Sequence, residues 1–193
     1  ILIGASKTLS GTSMLGVAAH ASYPGEVDFA GSVWFDAWYS YPKMDAPPGS
    51  ELWSIAMHEI GHAIGLKHPH DDDNNHGFPV ARAHDSTAYS LMSYKSRIGG
   101  ESSDGHRSTP LTYMLNDMAA LQYLYGKNMH TRTGNDRYGF DGKTYIHETI
   151  WDAGGNDTVS WARRDTDADI NLMPGTLSFF GGVDETSDPA AWN

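Results

Sequence analysis

Residues 58–68 of the chain read HEIGHAIGLKH, a stretch with three histidines and one glutamate. The stretch lies in a helical pattern, because Ser50 is a suitable N-cap and apolar residues then recur at helical spacing as far as Gly65. On an α-helix, residues four apart lie on one face, about 6 Å apart along the axis. His58 and His62 can therefore present ring nitrogens to the same metal ion.

The third histidine needs a chain reversal to join the other two. On a continuous helix, His68 would lie about 9 Å beyond His62 and about 240° around the axis. Glycine adopts the left-handed conformation that ends helices, so we expect Gly65 to turn the chain back. The pattern predicts three imidazoles on one zinc ion with an open position for water. Because the chain has no cysteine, only histidines and carboxylates are available as metal ligands.

Glu59 follows the first of these histidines and lies about 100° further around the helix, so it flanks the metal rather than facing it. We expect it to act as a general base that takes a proton from water at the metal. The alternative is an amphipathic helix with stray histidines. At this chain's residue frequencies, such a match would arise by chance with a probability on the order of 10⁻⁴.

Composition excludes several classes of protein. The 193 residues include 13 Lys and Arg against 24 Asp and Glu, a net charge of −11, which repels phosphate backbones. No apolar run approaches the roughly 20 residues that cross a bilayer. The aromatic content of 11% excludes a disordered chain, and the 21 glycines argue against a helical bundle. We therefore expect neither nucleic acid nor membrane among the partners.

The chain divides into two regions of different residue composition. Beyond residue 128, short apolar pieces alternate with Gly, Asp, Asn and Thr, which predicts a separate β region. Before it, β-rich pieces and amphipathic helices are mixed. Strands are predicted at residues 1–3, 17–21 and 31–36, and helices at residues 51–64 and 115–125, with Gly126 ending the second helix.

The motif in residues 58–68 resembles that of the metzincin zinc peptidases. Pro69, directly after the third histidine, is typical of the serralysins, which are secreted bacterial metalloproteases. Residues 90–94, SLMSY, resemble that family's methionine turn, and residues 116–126 resemble the helix that closes its catalytic domain. Residues 138–140 and 151–158 resemble the opening of its C-terminal calcium-binding β domain.

The resemblance implies an α+β fold in two parts. Residues 1–128 would form a metzincin catalytic domain that lacks its N-terminal part. This domain would contain a twisted mixed sheet, the zinc-binding active-site helix and a C-terminal helix. Residues 129–193 would begin the β-rich calcium-binding domain.

The resemblance also implies roles for residues outside the histidine motif. Tyr94 would be a further zinc ligand that swings away to stabilise an oxyanion, and Met92 would lie beneath the metal. Without the zinc motif, both would be interpreted as ordinary core residues. Residues 31–34 would be the edge strand that pairs with an extended substrate through backbone hydrogen bonds, which would give broad specificity.

A calcium site is predicted on the turn around residue 154. Asp152, Asp157 and the carbonyl oxygen of Gly154 offer hard oxygen ligands on a tight turn. Without the resemblance, a solvated Asp-Gly turn is the simpler interpretation. The resemblance adds main-chain oxygens and a second, partial site, so that the implied calcium ligands are Arg132, Gly134, Asp136, Asp152, Gly154, Gly155 and Asp157.

Asp71, Asp73 and Asn75 imitate the first ligands of an EF-hand loop. His76 and Arg82 occupy the positions at which that loop needs glycine and glutamate. We therefore assign no calcium to this stretch.

The sequence as a whole predicts a secreted, extracellular, monomeric zinc endopeptidase that acts on proteins and peptides. The absence of cysteine fits the one-step export that the resemblance implies. One alternative is a calcium-stabilised binding module with a structural zinc site, although such a site would not need Glu59. Another is a zinc hydrolase that acts on something other than peptides.

The two ends of the chain lead to an expectation about its length. Residues 1–4 align with a strand well inside the family's catalytic domain, and the chain ends before any of the family's glycine-aspartate nonapeptide repeats. We expect a piece of a longer protein, or a nicked molecule whose missing segment stays bound as a second chain.

Overall fold

The fold combines two α-helices with small sheets in the part of the chain that the computed structural model describes, which confirms the α+β class. That part comprises residues 2–6, 19–25, 28, 30–36, 47–72, 78–96, 110–139, 147–162 and 166–180. No helix within these ranges has the length and apolar character to span a membrane. In chain order the elements are β1 (Leu2–Ser6), β2 (Ala19–Ala21), β3 (Ser32–Asp36), α1 (Glu51–Ala63), a 3-10 turn (Arg82–His84), α2 (Leu115–Tyr125), β4 (Arg137–Gly139), β5 (Thr158–Ser160), β6 (Ala168–Asp169) and β7 (Phe179–Phe180).

The first sheet is mixed and has the order β1-β3-β2. Strand β3 pairs in parallel with β1 and antiparallel with β2. The prediction that residues 31–34 form a substrate-binding edge is therefore wrong, because β3 is hydrogen-bonded on both sides. Its Val33 is fully buried, as the centre of a sheet requires. Among the described strands, β1 and β2 are the two edges of this sheet, because each pairs with β3 alone.

Helix α1 packs on this sheet through one apolar face. Ser50 caps its start, with its hydroxyl oxygen accepting a hydrogen bond from the Trp53 amide at 3.2 Å, as predicted. The partly buried Ile55, Ala56 and Ile60 of this helix lie against the core formed by Ala63, Val33 and Phe35.

A second core lies between the C-terminal end of α1, the turn at residues 90–94 and α2. Met92 is at its centre and has no exposed surface. This cluster joins three segments that are far apart in the sequence. Its buried members are Leu66, Leu91, Met92 and Met114, with Met57, Tyr113, Ala120 and Leu121 packed against them.

Helix α2 ends at Gly126, whose φ of 82° is left-handed, as predicted. Leu124, in the last turn of this helix, is 50% exposed, whereas Ala120 and Leu121 pack on the second core. The Tyr125 hydroxyl donates to the Ile64 carbonyl oxygen at 2.7 Å and so joins the ends of the two helices.

Residues beyond α2 form two small sheets. Strands β4 and β5 are parallel, and β6 and β7 are antiparallel. The segment at residues 147–149 contacts the first region, since the His147 carbonyl oxygen accepts from the Leu111 amide at 2.8 Å and the Thr149 amide donates to the Thr112 hydroxyl at 2.8 Å. By its composition, this segment was predicted to belong to the second region, beyond residue 128.

A buried carboxylate holds the methionine turn onto α2. Asp117 accepts hydrogen bonds from the Ser90 hydroxyl (2.6 Å), the Leu91 amide (2.6 Å) and the Met114 amide (2.9 Å). Burial raises the pKa of Asp117, and these donors offset part of that effect. The carboxylate is thus the polar link between two segments of the second core.

We expect Asp117→Ala to lower the free energy of unfolding by about 3 kcal/mol, because it leaves two buried amides without an acceptor. Urea denaturation measures the change. Asp169→Ala makes the same substitution at an exposed position and is the control. Equal midpoints for the two variants would contradict the structural role of Asp117.

Candidate active site

The three histidines of the motif converge on one point. Nε2 of His68 lies 3.2 Å from Nε2 of His58 and 3.1 Å from Nε2 of His62. Nitrogen ligands at the usual distance of about 2.0–2.1 Å from a tetrahedral zinc ion stand about 3.3 Å apart. The spacing of the three ring nitrogens therefore fits one zinc ion.

The opposite ring nitrogen of each histidine faces an oxygen that can only accept a hydrogen bond. Each Nδ1 must therefore carry the proton of the neutral imidazole, which leaves a lone pair on each Nε2. Three lone pairs this close repel one another unless a cation lies between them, so the donor set fits zinc. The contacts are His58 with the carbonyl oxygen of Leu91 (3.3 Å), His62 with that of Leu66 (2.8 Å) and His68 with the carboxylate of Asp71 (3.1 Å).

The chain reversal that brings in the third histidine occurs as predicted. Helix α1 ends at Ala63, and Gly65 has a φ of +99°. The Leu66 amide then donates back to the Gly61 carbonyl oxygen at 2.8 Å, which closes the helix end. This turn also directs the Leu66 carbonyl oxygen towards the ring of His62.

Asp71 is a site residue that sequence reasoning missed. It orients His68 through two hydrogen bonds, because its carboxylate accepts one from the ring Nδ1 and one, at 3.0 Å, from the His68 amide. Carboxylates commonly hold metal-ligating histidines in this way. The available signal in the sequence was its position three residues after His68. The comparison with an EF-hand loop considered Asp71 only as a calcium ligand and rejected it.

His70 does not add a second metal site to this group. Its ligating atoms lie near those of His68 and Asp71. The rings of His68 and His70 are nearly parallel, with an interplanar angle of 7° and centroids 5.2 Å apart. A metal ion binds in the plane of an imidazole ring, so one ion cannot be bound by two stacked rings that are nearly parallel. In addition, Nδ1 of His68 already donates its proton to Asp71.

Burial favours the neutral, ligating form of the histidines. It lowers the pKa of His58 to about 4, with the neighbouring imidazoles adding to the effect. Burial also lowers the pKa of His68, although the Asp71 carboxylate opposes it. Neutral imidazole is the form that binds a metal, so the site is prepared for a cation at neutral pH.

Two further predicted residues lie beside the histidines. Burial raises the pKa of Glu59 to about 7. The ring of Tyr94 lies 4.6 Å from that of His68 and is stacked 5.6 Å from that of His58. Burial, then the charges of Glu59 and Asp71, raise the pKa of Tyr94, so its phenol stays protonated at neutral pH.

Met92 lies directly beneath α1, and this position requires a glycine above it. A β-carbon on Gly61 would lie 2.5 Å from the Met92 sulfur, a distance at which one of them must move. Gly61 is thus a second residue that sequence reasoning missed. A glycine inside a helical pattern was the available signal.

Three of the seven residues predicted to bind calcium lie together at one end of the β4–β5 sheet. Carboxylate oxygens of Asp136, Asp152 and Asp157 all lie within 4.8 Å of one another. The Asp136 amide donates to the Asp157 carboxylate at 2.9 Å, which joins the two loops. The Asp136 carbonyl oxygen, the ligand atom that the resemblance implies, accepts from the Thr158 amide at 2.9 Å, while the Asp136 side chain joins the acidic group.

The glycines and the arginine of these loops adopt unusual backbone conformations. Gly154 and Gly155 have φ of 151° and 139°, and Arg132 has φ of 49°. The carbonyl oxygen of Gly134 occupies the place of a side chain at Gly155, so only glycine fits there.

Comparisons with known proteins agree with this geometry. Residues 6–94 match the Matrixin family of M10 peptidases, and residues 127–190 match the family described as Peptidase M10 serralysin C terminal. Serralysins of Dickeya chrysanthemi are among the relatives. Serralysin G is 38% identical over 184 residues, which cover 86% of this chain and 37% of the relative. Serralysin B is 34% identical over 198 residues, which cover 92% and 40%.

A relative from a second organism gives the same result. Serralysin of Proteus mirabilis is 34% identical over 174 residues, which cover 81% of this chain and 35% of the relative. The chain thus spans about two fifths of the length of the curated relatives it matches. The first matched segment contains the three histidines and the methionine turn, the second segment follows it, and the serralysins match most of the chain; the chain therefore belongs to the serralysin-type metzincins.

Proposed function

We propose that this chain carries the catalytic centre of a zinc-dependent endopeptidase that hydrolyses proteins and peptides. The observation that carries the proposal is the convergence of three Nε2 atoms, with that of His68 at 3.1–3.2 Å from the other two, beside a carboxylate and a phenol. His58, His62 and His68 would hold the zinc ion. When bound, zinc lowers the pKa of a water molecule and polarises the carbonyl group of the substrate.

Glu59 is the general base of the proposed reaction. A pKa of about 7, raised by burial, lies near neutral pH, where a carboxylate both accepts and returns a proton efficiently. Glu59 takes a proton from the attacking water and then delivers it to the leaving amine.

Tyr94 is the proposed hydrogen-bond donor to the oxyanion. A raised phenol pKa keeps the proton on the oxygen, so the group can donate to negative charge that develops on the substrate. The side chain is 50% exposed, which leaves it room to turn between the metal and the substrate. Tyr94 thereby serves both as the fifth ligand and as a donor.

Strand β2 is the proposed edge for substrate, in place of residues 31–34. Tyr23, two residues beyond β2, packs edge-on against the His62 ring at a centroid distance of 5.5 Å. The edge therefore runs beside the histidines. A peptide added to it would bind through backbone hydrogen bonds, which supports broad specificity.

Calcium is the proposed ligand of the acidic loops. The carboxylates of Asp136, Asp152 and Asp157 supply hard oxygens, and they repel one another without a cation. The proposed site is completed by main-chain oxygens of Arg132, Gly134 and Gly154. Gly155 would contribute to a second ion. Calcium would hold the two loops of the second region together.

The remaining parts of the proposal concern the whole protein. We infer a catalytic domain at residues 1–128 and the start of a calcium-binding domain at residues 129–193, which the separate family matches support. We infer a secreted, extracellular monomer. The rival function, a binding module with structural zinc, is not favoured, because it gives no role to the partly buried Glu59 carboxylate beside three ligands that leave a position open.

We expect one zinc ion per chain by elemental analysis, bound by the three imidazoles. Removal with 1,10-phenanthroline should abolish casein hydrolysis, and added zinc should restore it. His62→Ala should lose the zinc ion, because two imidazoles bind zinc far more weakly than three. Full activity of a verified metal-free sample would contradict the proposal.

We expect Glu59→Gln to retain zinc and to lower kcat by about 10²–10⁴-fold, because the amide cannot accept the proton. Metal content and kcat for a quenched-fluorescent peptide are the measurements. Glu148→Gln, the same change outside the histidine group, should leave kcat unchanged. Retained catalysis in Glu59→Gln would remove Glu59 from the mechanism and favour the rival function.

We expect added calcium to raise the Tm of metal-depleted protein, because an ion that binds only the folded state stabilises it. Asp157→Asn should abolish most of that increase, since it removes one charge from the acidic group. Asp169→Asn is the matched control at an exposed position outside the loops. Melting curves that superimpose with and without calcium would show that the loops bind none.

A further inference from the structure

One buried carboxylate contacts the neighbours of Tyr94 on both sides. Asp85 is 2% exposed and directly follows the 3-10 turn. Its Oδ1 accepts from the Ser93 hydroxyl at 2.8 Å, and its Oδ2 accepts from the Lys95 ammonium at 2.6 Å. The residues immediately before and after Tyr94 are thus fastened to a single side chain.

The same carboxylate reaches the ring that packs against Tyr94. Nδ1 of His70 lies 3.7 Å from Oδ1 of Asp85. The His70 ring is 5.2 Å from the Tyr94 ring and stacks on His68. Asp85 therefore contacts the residues on either side of Tyr94 and also His70, whose ring packs against the ring of Tyr94.

Backbone hydrogen bonds reinforce this attachment. The Thr87 amide donates to the Lys95 carbonyl oxygen at 2.8 Å, and the Thr87 hydroxyl donates to the Ser96 carbonyl oxygen at 3.2 Å. The segment that begins with Asp85 thus runs alongside the segment that follows Tyr94. The main chain near Tyr94 is held in place although its side chain is half exposed.

The ionic state of Asp85 suits this role. Burial alone raises the pKa of Asp85, but the hydrogen bonds from Lys95 and Ser93 outweigh it and hold that pKa below its usual value. The carboxylate is ionised at neutral pH and is matched by one ammonium. A buried charge paired in this way costs much to disturb, so it makes a rigid anchor.

We propose that Asp85, acting through Lys95 and Ser93, is the positioning residue that fixes the main chain of Tyr94 so that its phenol reaches the developing oxyanion. The inference rests on the proposed function, in which Tyr94 donates that hydrogen bond. An anchored main chain with a mobile side chain lets the phenol turn about its own bonds without the loop moving. Small errors in such a position cost large factors in rate.

A purely structural role for Asp85 is the competing explanation. In that case the ion pair stabilises the loop and affects catalysis only through general loosening. The two explanations differ in one respect. A positioning role disappears when the phenol is removed, whereas loosening of the loop lowers activity whether or not residue 94 has a hydroxyl.

The test uses Lys95→Met, which removes one attachment while keeping a long side chain and leaving the histidines untouched. We expect kcat of the zinc-loaded protein to fall about tenfold with KM changed less than about twofold. In a Tyr94→Phe background the same substitution should have no further effect on kcat. Lys127→Met, at a lysine that lies over Trp151, is the matched control and should leave kcat unchanged.

A second readout does not depend on activity. With 3-fluorotyrosine placed at position 94, the ¹⁹F NMR spectrum of the metal-free protein should show a shifted or broadened resonance in Lys95→Met. Lys95→Arg keeps the charge and should restore the parent spectrum and most of kcat. If Lys95→Met does not fold, Ser93→Ala removes the other donor and gives the same comparison.

The outcomes separate the two proposals. Unchanged kcat and an unchanged ¹⁹F spectrum in Lys95→Met, with a lower kcat in Tyr94→Phe, would overturn the positioning role alone. Fully additive losses in the double variant would also overturn it. Unchanged kcat in Tyr94→Phe would overturn both the positioning role and the role of Tyr94, while zinc binding and the effect of Glu59→Gln would still test the rest of the proposed function.

Discussion

The repulsion among three imidazole lone pairs is the constraint on which the rest of this structure depends. The unprotonated nitrogen of His68 lies 3.2 Å from that of His58 and 3.1 Å from that of His62, and this arrangement is unfavourable without a cation. It persists because the opposite nitrogen of each ring donates to a fixed oxygen. Two of these oxygens belong to the backbone, so the shape of the main chain sets the shape of the metal site.

Packing beneath the histidines supplies the fixed backbone. Met92 fills the space under α1 that Gly61 leaves open, and the Leu91 carbonyl oxygen beside it faces His58. Asp117 then holds the Leu91 amide from the start of α2. A continuous series of contacts therefore runs from the second helix through the methionine turn to the first ligand, and the metal site depends on a residue far from it.

Four acidic residues near the site have different surroundings and therefore different roles. Glu59 has no described donor, so burial dominates and raises its pKa to about 7. Asp71 binds one histidine ring, and Asp85 is ionised by its contacts with Lys95 and Ser93. Asp117 accepts only neutral donors. The chemistry of each carboxylate follows from what donates to it rather than from the residue type.

The sequence alone determined the helix with two ligands, the glycine reversal that adds the third and the end of α2, because each follows from local periodicity or from the conformational freedom of glycine. The α+β class followed from the family resemblance. Only the tertiary structure decided that β3 is central, that Asp71 orients His68, and that Asp85 joins Ser93 to Lys95. Strand order and side-chain partners depend on which distant segments pack together. No local pattern around residues 31–36 or 85 records those contacts, since the same residues would serve equally well at an edge or on the surface. Asp71 is close to His68 in the sequence, but an aspartate at that place serves equally well in a solvated loop.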